Sequence, residues 1–316
     1  MKPTTSTPDY ASIIDAETWA FIRETESWYP PETATFSIER QREVYDAMCR
    51  AFHRGYPAGV TAEDTRLGGV PVRVYSAAGD RPVTVVYFHG GGFVVGGLHS
   101  HDDVCAEICA STGYRVVAVD YRLAPEHRHP AHFDDALAAT RAVAASRSQP
   151  LVLAGDSAGG NLAASVAHAT RGEGFRILGQ VLVYPYLGGD MGKGSYVMHA
   201  QAPMLTLDDV LFYHDIRFGG TAGPDHDTTA TPLRDTDFAC LPPTLIYAAE
   251  CDPLCDDGAD YAAAINAAGG RARCTTEAGL VHGYLRARSR SARAADSFAR
   301  ITAGIAALGR GEWPEE

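Results

Sequence analysis

The chain has 316 residues, of which 46% are hydrophobic and 21% charged, so it can bury a sizeable core in one large domain or two small ones. Its net charge of −12 disfavours nucleic acid and anionic membranes as partners. The basic run from residue 286 to residue 293 is interpreted as the solvated face of a helix. No apolar run approaches the roughly 18 residues of a membrane span, so none is predicted.

The seven cysteines are an odd number and contain no paired Cys-x-x-Cys motif. Cys105/Cys109 and Cys251/Cys255 are spaced four apart but lack a convincing histidine partner, so we predict neither a metal site nor a metal cofactor. Unpaired thiols favour a reducing compartment, and residues 1–10 are polar where a secretory signal would be apolar. We therefore expect a cytoplasmic protein.

The N-terminal segment, residues 1–55, predicts two helices. The first begins at Asp9 or Ser12 and ends at Trp28-Tyr29-Pro30-Pro31, and the second begins at about Ser37. Apolar side chains recur at helical spacing in both. They can pack on the main domain, or they can also form part of a cap over a site.

From about residue 61 the apolar pattern becomes that of strands. Residues 62–67 and 71–77 alternate around Gly68-Gly69 as a hairpin. Nearly continuous apolar strands alternate with helices after it: strands at 83–88, 114–119, 151–154, 177–184 and 243–249, and helices at about 100–112, 133–147, 160–171, 256–268 and 288–308. This alternation predicts an α/β fold with a mostly parallel sheet covered by helices on both faces. The core is assigned to residues 56–187 and 236–316.

Residues 188–235 interrupt the alternation. Glycines open the segment, and one helix is predicted from Thr206 as N-cap to Phe218, ended by Gly219-Gly220. An insertion between two sheet strands is a natural lid, so we predict an inserted cap here.

The motif Gly155-Asp156-Ser157-Ala158-Gly159 joins an apolar strand to a helix of small residues. A sharp strand-turn-helix connection exposes its apical serine at the end of a sheet, as a nucleophile requires. The motif is short and weak by itself, and a glycine-rich turn with a serine cap is the alternative.

A second motif, His89-Gly90-Gly91-Gly92, follows the strand at 83–88. Consecutive glycines leave backbone N–H groups unshielded, so Gly91 and Gly92 are candidates for an oxyanion hole completed by Ala158. A phosphate-binding loop would require a different glycine pattern or a Gly-Lys-Ser/Thr ending, and neither is present. His89 is predicted to brace the loop rather than to transfer protons.

Ser157 would need a base, which in this kind of fold follows an acid along the chain. His282 is the only histidine after the next candidate acid, and it follows a late strand in a turn. Among the acids after residue 249, Asp252 precedes Pro253 in a loop, whereas Asp256 and Asp257 are explained as helix-start residues. Glu250 is predicted to support the site.

Five motifs occur in the order found in a known family. Two are the glycine motifs described above. The other three are Asp120-Tyr121-Arg122-Leu123-Ala124-Pro125-Glu126, Asp252-Pro253-Leu254 with Asp256-Asp257-Gly258, and His282-Gly283. Over roughly residues 70–310 the chain resembles the bacterial hormone-sensitive-lipase-like carboxylesterases, and within them the acetyl esterases.

This resemblance implies an α/β-hydrolase fold, a cap split between residues 1–55 and 188–235, and no cofactor. It implies Ser157 as nucleophile with Asp252 and His282 as partners, and Gly91, Gly92 and Ala158 as oxyanion donors. His89, Gly90, Asp156 and Glu250 are predicted to support them.

The predicted function is hydrolysis of short-to-medium acyl esters through an acyl-enzyme. A small-molecule ester is the expected partner, and a homodimer is compatible with the sequence. Two alternatives stay open: an amidase or lactonase with the same triad, and a binding protein without catalysis on the same fold.

Overall fold

The structure is a computed structural model that describes residues 8–79, 81–147, 149–221, 223–224 and 227–315. Within these residues one eight-stranded sheet has the order β1-β2-β4-β3-β5-β6-β7-β8. Its strands are β1 Val60–Leu67, β2 Val70–Ala77, β3 Arg81–Phe88, β4 Tyr114–Val119, β5 Leu151–Asp156, β6 Ile177–Val183, β7 Thr244–Cys251 and β8 Ala272–Val281. β2 pairs antiparallel with both β1 and β4, and the neighbours from β4 to β8 pair in parallel.

Helices cover both faces of this sheet. They are α1 Tyr10–Ile13, α2 Ala16–Glu26, α3 Ile38–Phe52, α4 Asp102–Thr112, α5 Ala131–Arg147, α6 Ala158–Ala169, α7 Gly194–Met198, α8 Leu207–Phe218, α9 Cys255–Ala267 and α10 Ala292–Gly309. Successive side chains of a strand point to opposite faces. Accordingly Val85 and Tyr87 pack in the core that holds α4 and α10, while Val86 and Phe88 pack in the core that holds α5, α6 and α9. The predicted α/β fold with a mostly parallel sheet is confirmed.

Three details differ from the prediction. Asp15, rather than Asp9 or Ser12, caps the main N-terminal helix α2 by accepting a hydrogen bond from the N–H of Thr18 at 2.7 Å. The insertion carries the helix α7 besides α8. The C-terminal helix begins at Ala292, after a 3-10 turn at Tyr284–Ser289.

The interpretation of the basic run as a solvated face is wrong for two of its members. Arg288 is buried and forms ion pairs with Asp103 and Glu107, and Arg286 lines a cavity. Arg290 and Arg293 are exposed as expected.

The parallel strands determine where the predicted site residues lie. His89 directly follows β3, Ser157 follows β5, Asp252 follows β7 and His282 follows β8. Because the carboxyl ends of parallel strands meet at one edge of a sheet, these residues are brought to the same edge.

Candidate active site

Ser157 stands at the tip of a sharp turn between β5 and α6. Its backbone has φ 54° and ψ −117°, in a region that side-chain-bearing residues rarely adopt. A Cβ at Gly159 would overlap the carbonyl of Phe88, and one at Gly155 would overlap the carbonyl of Gly159. Ser157 makes no side-chain capping bond to α6. The turn therefore presents the hydroxyl for another use, and the serine-cap alternative does not apply.

A chain of hydrogen bonds links that hydroxyl to a buried carboxylate. Nε2 of His282 lies 2.9 Å from Oγ of Ser157, and Nδ1 of His282 lies 2.7 Å from Oδ2 of Asp252. Asp252 is fully buried, and its other oxygen accepts a hydrogen bond from the N–H of Leu254 at 2.9 Å. This arrangement orients the imidazole with Nδ1–H toward Asp252 and leaves Nε2 free to accept the serine proton.

Gly91, Gly92 and Ala158 line the same cavity as Ser157. Gly91 has φ 126° and Gly92 has φ 59°, conformations that favour glycine. A Cβ at Gly92 would lie about 2.5 Å from the ring of Tyr213 on α8, so the insertion packs directly on this loop. Among the described residues, no group accepts a hydrogen bond from the N–H groups of Gly91, Gly92 or Ala158. These donors are available to a developing oxyanion.

Asp156, next to the serine, is a hub of buried hydrogen bonds. Oδ1 accepts from the hydroxyl of Tyr87 at 2.8 Å and from the N–H of Gly90 at 3.0 Å. Oδ2 lies 3.2 Å from Nε2 of His101 and 3.4 Å from the hydroxyl of Tyr184. Burial by itself raises the pKa of Asp156, but His101 and the Tyr87 donor outweigh it and hold that pKa well below its usual range.

His89 is buried within the loop. Its Nδ1 lies 2.7 Å from the carbonyl of Gly90, and its ring stacks on Tyr121 with centroids 4.3 Å apart. Burial lowers the pKa of His89 to about 3, so the ring is neutral at ordinary pH. Glu250 accepts a hydrogen bond from the N–H of Gly279 at 2.6 Å, near the end of β8. His89 thus contacts the glycine loop and Glu250 contacts β8, as expected of residues that hold these segments in place.

Two other histidines that follow Ser157 along the chain, His168 and His199, have partners of their own. Nδ1 of His168 lies 2.6 Å from Asp235 and its Nε2 lies 2.9 Å from the hydroxyl of Tyr261, behind the serine helix. His199 contacts Tyr10. His226 lies outside the described residues.

Asp256 and Asp257 do more than start α9. Asp256 accepts a hydrogen bond from the N–H of Ser195 at 2.8 Å. Asp257 accepts one from the N–H of Leu187, just before the insertion, at 2.7 Å and one from the hydroxyl of Tyr196, within it, at 3.1 Å. Both carboxylates therefore tie the insertion to the start of α9, next to Asp252.

A cavity of about 430 Å³ opens over the serine. Core, N-terminal segment and insertion all contribute to its wall. The N-terminal segment supplies Thr25, Glu26, Tyr29, Tyr45 and Met48, and the insertion supplies Met204, Leu205, Asp209, Val210, Tyr213, His214 and Arg217. Sequence reasoning did not identify most of these lining residues. It also missed Arg286, because its basic neighbours made it read as a surface residue.

All seven cysteines are free thiols. No cluster of metal-ligating side chains occurs in the part of the chain that the structure describes. No helix among the described residues is long and apolar enough to cross a membrane.

Comparison with known proteins places these features in a family. A profile of the α/β-hydrolase fold matches residues 85–286. The carboxylesterase NlhH of Mycobacterium tuberculosis is 39% identical over 255 residues, covering 77% of this chain and 79% of that protein. The chain belongs to the bacterial hormone-sensitive-lipase-like carboxylesterases. It is a hydrolase.

Two further similarities extend this result. The ethyl acetate hydrolase of Pseudomonas putida is 32% identical over 229 residues, covering 69% of this chain and 72% of that protein. A hyperthermophilic esterase from the archaeon Pyrobaculum calidifontis superposes with a TM-score of 0.83 at 30% identity, covering 94% of this chain and 99% of that one. The similarity therefore includes most of the N-terminal segment.

Proposed function

We propose that this hydrolase is a serine carboxylesterase that cleaves short-to-medium acyl esters through an acyl-enzyme. The observation that carries the proposal is the continuous hydrogen-bonded chain from Asp252 through His282 to Ser157, aimed into a cavity. A protein that only bound ligands would have no use for this alignment. The names of the relatives above favour esters over amides or lactones.

In the first half of the reaction, Nε2 of His282 takes the proton of Ser157 while Oγ attacks the ester carbonyl. The N–H groups of Gly91, Gly92 and Ala158 hold the oxyanion of the tetrahedral intermediate. His282 then gives the proton to the leaving alcohol, and the acyl group stays on Oγ.

In the second half, His282 removes a proton from water, which attacks the acyl-enzyme at the same carbonyl carbon. The same three N–H groups hold the second oxyanion. Collapse of this intermediate returns the proton to Ser157 and releases the acid. Asp252 stabilises the imidazolium that forms in each half.

We further propose that residues 1–55 and 188–235 act as one split cap on a core formed by residues 56–187 and 236–316. Tyr29 and Met48 from the first segment and Leu205 and Tyr213 from the second line the same cavity. Such a cap shapes the acyl pocket and excludes bulk water from it.

The test is Ser157→Ala, assayed with p-nitrophenyl butyrate. We expect kcat/KM to fall by at least about a thousandfold with an unchanged fold. Ser165→Ala is the matched control, because Ser165 lies in the same helix α6 and its buried hydroxyl has no hydrogen-bond partner. It should keep kcat/KM within about twofold.

A fluorophosphonate should add to the unmodified enzyme at Ser157 and not to Ser157→Ala, as read by mass spectrometry of peptides. Retention of more than about a tenth of the activity by Ser157→Ala would contradict the proposal. p-Nitrobutyranilide and γ-butyrolactone, assayed in parallel, test the amidase and lactonase alternatives. A higher kcat/KM for either than for p-nitrophenyl butyrate would replace the ester assignment.

A further inference from the structure

Arg286 is a cation in the wall of the catalytic cavity. It lies in the 3-10 turn after His282 and Gly283, and its Nη1 is 3.6 Å from the position that a Cβ on Gly283 would occupy. The guanidinium carbon lies 5.0 Å from the ring centroid of Tyr45, whose hydroxyl accepts a hydrogen bond from Nη2. The side chain is half-buried and lines the cavity.

No carboxylate among the described residues lies within ion-pairing distance of Arg286. Its neighbours in contact, the hydroxyl of Tyr45 and the thiol of Cys49, are neutral. Its Nε is buried without a hydrogen-bond partner. Arg288, two residues further along the chain, forms ion pairs with two carboxylates: its Nη2 lies 2.5 Å from Oδ2 of Asp103 and 2.7 Å from Oε1 of Glu107. The fold thus neutralises one arginine of this turn and leaves the other unpaired.

A half-buried guanidinium has lost part of its water, and Arg286 has no carboxylate in contact to replace it. The negative charge of Asp156 attracts Arg286 without contact. Asp156 makes no hydrogen bond to it, since its oxygens are already engaged by Tyr87, Gly90, His101 and Tyr184. A ligand that brings its own carboxylate into the cavity would form the direct ion pair that Asp156 does not.

We propose that Arg286 binds a carboxylate carried by the substrate, so that the preferred esters are half-esters with one free acid group. This inference rests on the proposed esterase function. A guanidinium pairs with a carboxylate through charge-assisted, directional hydrogen bonds. The carboxylate can belong to the acyl part or to the alcohol part of the ester, and the experiment below distinguishes these two cases.

The other charged groups in the wall do not change this assignment. Arg217 is fully buried, stacks 3.7 Å from the ring centroid of Phe93 and already donates to His132 and the carbonyl of Ala230. Glu26 and Asp209 are exposed, and Asp209 is engaged in the capping box of α8. Exposed charges are screened by salt over about 8–10 Å, so they slow the entry of an anion more than they weaken its binding.

The experiment compares each half-ester with its isosteric neutral amide. Monoethyl succinate against ethyl succinamate places the acid on the acyl side, and O-butyryl glycolate against O-butyryl glycolamide places it on the alcohol side. For one of these pairs we expect kcat/KM of the unmodified enzyme to favour the acid by about tenfold or more. Equal or lower values for both acids overturn the inference, and they leave the esterase function standing if the amides and p-nitrophenyl butyrate are cleaved.

Arg286→Gln then identifies the group responsible. The readout is the acid-to-amide ratio of kcat/KM, in which general damage to the active site cancels. We expect the ratio to fall by about ten- to a hundredfold in Arg286→Gln and to recover in part in Arg286→Lys, which keeps the charge. Tyr45→Phe is the control, because it removes the neutral partner of Arg286 and should keep the ratio. An unchanged ratio in Arg286→Gln would mean that this arginine only fastens α3 to the turn.

If Arg286→Gln does not fold, the preference of the unmodified enzyme and the ratio in Arg286→Lys still decide the question. Loss of all ester cleavage by the unmodified enzyme would overturn the proposed function itself.

Discussion

The carboxylate of Asp156 accepts a hydrogen bond from the backbone N–H of Gly90 at 3.0 Å. This bond joins the residue before the candidate nucleophile to the start of the loop that carries the candidate oxyanion donors. A Cβ at Gly90 would overlap that same carboxylate, so the two strand ends are packed without space between them. The loop and the serine turn are therefore positioned as one unit.

From this bond we predict that Asp156→Ala lowers kcat by about a hundredfold while KM changes by less than about threefold. Displaced oxyanion donors weaken binding of the transition state more than binding of the substrate. Asp156→Asn should recover part of the loss, because its amide oxygen can still accept from Gly90. Tyr87→Phe is the control, since it removes one donor to Asp156 and leaves the Gly90 bond intact. A rise in KM with kcat unchanged would show that Asp156 acts elsewhere.

The second prediction concerns pH. A protonated His282 cannot accept the proton of Ser157, so kcat/KM should rise with pH through the titration of a single group. His89 is excluded as that group, because burial lowers its pKa to about 3. We expect His89→Gln to lower kcat but to leave the midpoint of the kcat/KM profile in place. A midpoint that moves in His89→Gln, or a flat profile in an enzyme stable throughout, would contradict the assignment of His282 as the base.

The third prediction concerns stability. Burial raises the pKa of Asp257 from 3.8 to about 7, although the N–H groups of Leu187 and Gly189 and the hydroxyl of Tyr196 donate to it and act in the opposite direction. The folded state therefore holds this proton more tightly than the unfolded state. Its contribution to the free energy of unfolding is greatest below pH 3.8 and is lost as pH rises to about 7.

The asparagine in Asp257→Asn cannot ionise, so this variant should not lose free energy of unfolding in the same way as pH rises. The Tm of Asp257→Asn minus that of the unmodified protein should increase as pH rises toward about 7 and then level off above it. Thermal unfolding followed by circular dichroism over this range measures the difference. A difference in Tm that is constant with pH would show that Asp257 does not change its charge there.

The fourth prediction concerns acyl length. The cavity of about 430 Å³ lies at the small end for ligand sites. Each added methylene can raise kcat/KM by up to about fourfold while space remains, and then lowers it. We expect an optimum between about two and six acyl carbons.

Acetate, butyrate, hexanoate, octanoate and laurate esters of p-nitrophenol, kept below their aggregation limits, provide the measurement. A steady rise through laurate, or activation at an emulsion surface, would indicate a lipase with a longer site.

Much of the fold could be predicted because its signals are local. The strand at 114–119 was placed at its observed ends, and the hairpin around Gly68-Gly69 and the N-cap at Thr206 were found, since each depends on a few adjacent residues. The short helix α7 was missed, because five residues cover less than two turns and leave no periodic pattern. The break between α1 and α2 was missed because Asp15 caps a helix inside an apolar stretch that otherwise continues.

The residues of the candidate site also differ in whether local sequence identifies them. Glycine motifs and the order of serine, acid and histidine along the chain were enough to name Ser157, Asp252 and His282 as candidates. Asp256 and Asp257 were read as helix-start residues, because their contacts to Ser195 and Leu187 join segments about 60 to 70 residues apart, which adjacent letters do not indicate.

The sequence by itself determined the sheet with its helices, because apolar strand patterns are visible in neighbouring positions. It also determined the turn that exposes a serine, because close backbone approach requires glycines at adjacent positions. Only the tertiary structure decided which charges are neutralised. Arg286 and Arg288 stand two apart in one basic run, yet Asp103 and Glu107 reach only the second. A side chain's partners come from distant segments packed against it, so the unpaired cation over the catalytic cavity became visible only when the chain was folded.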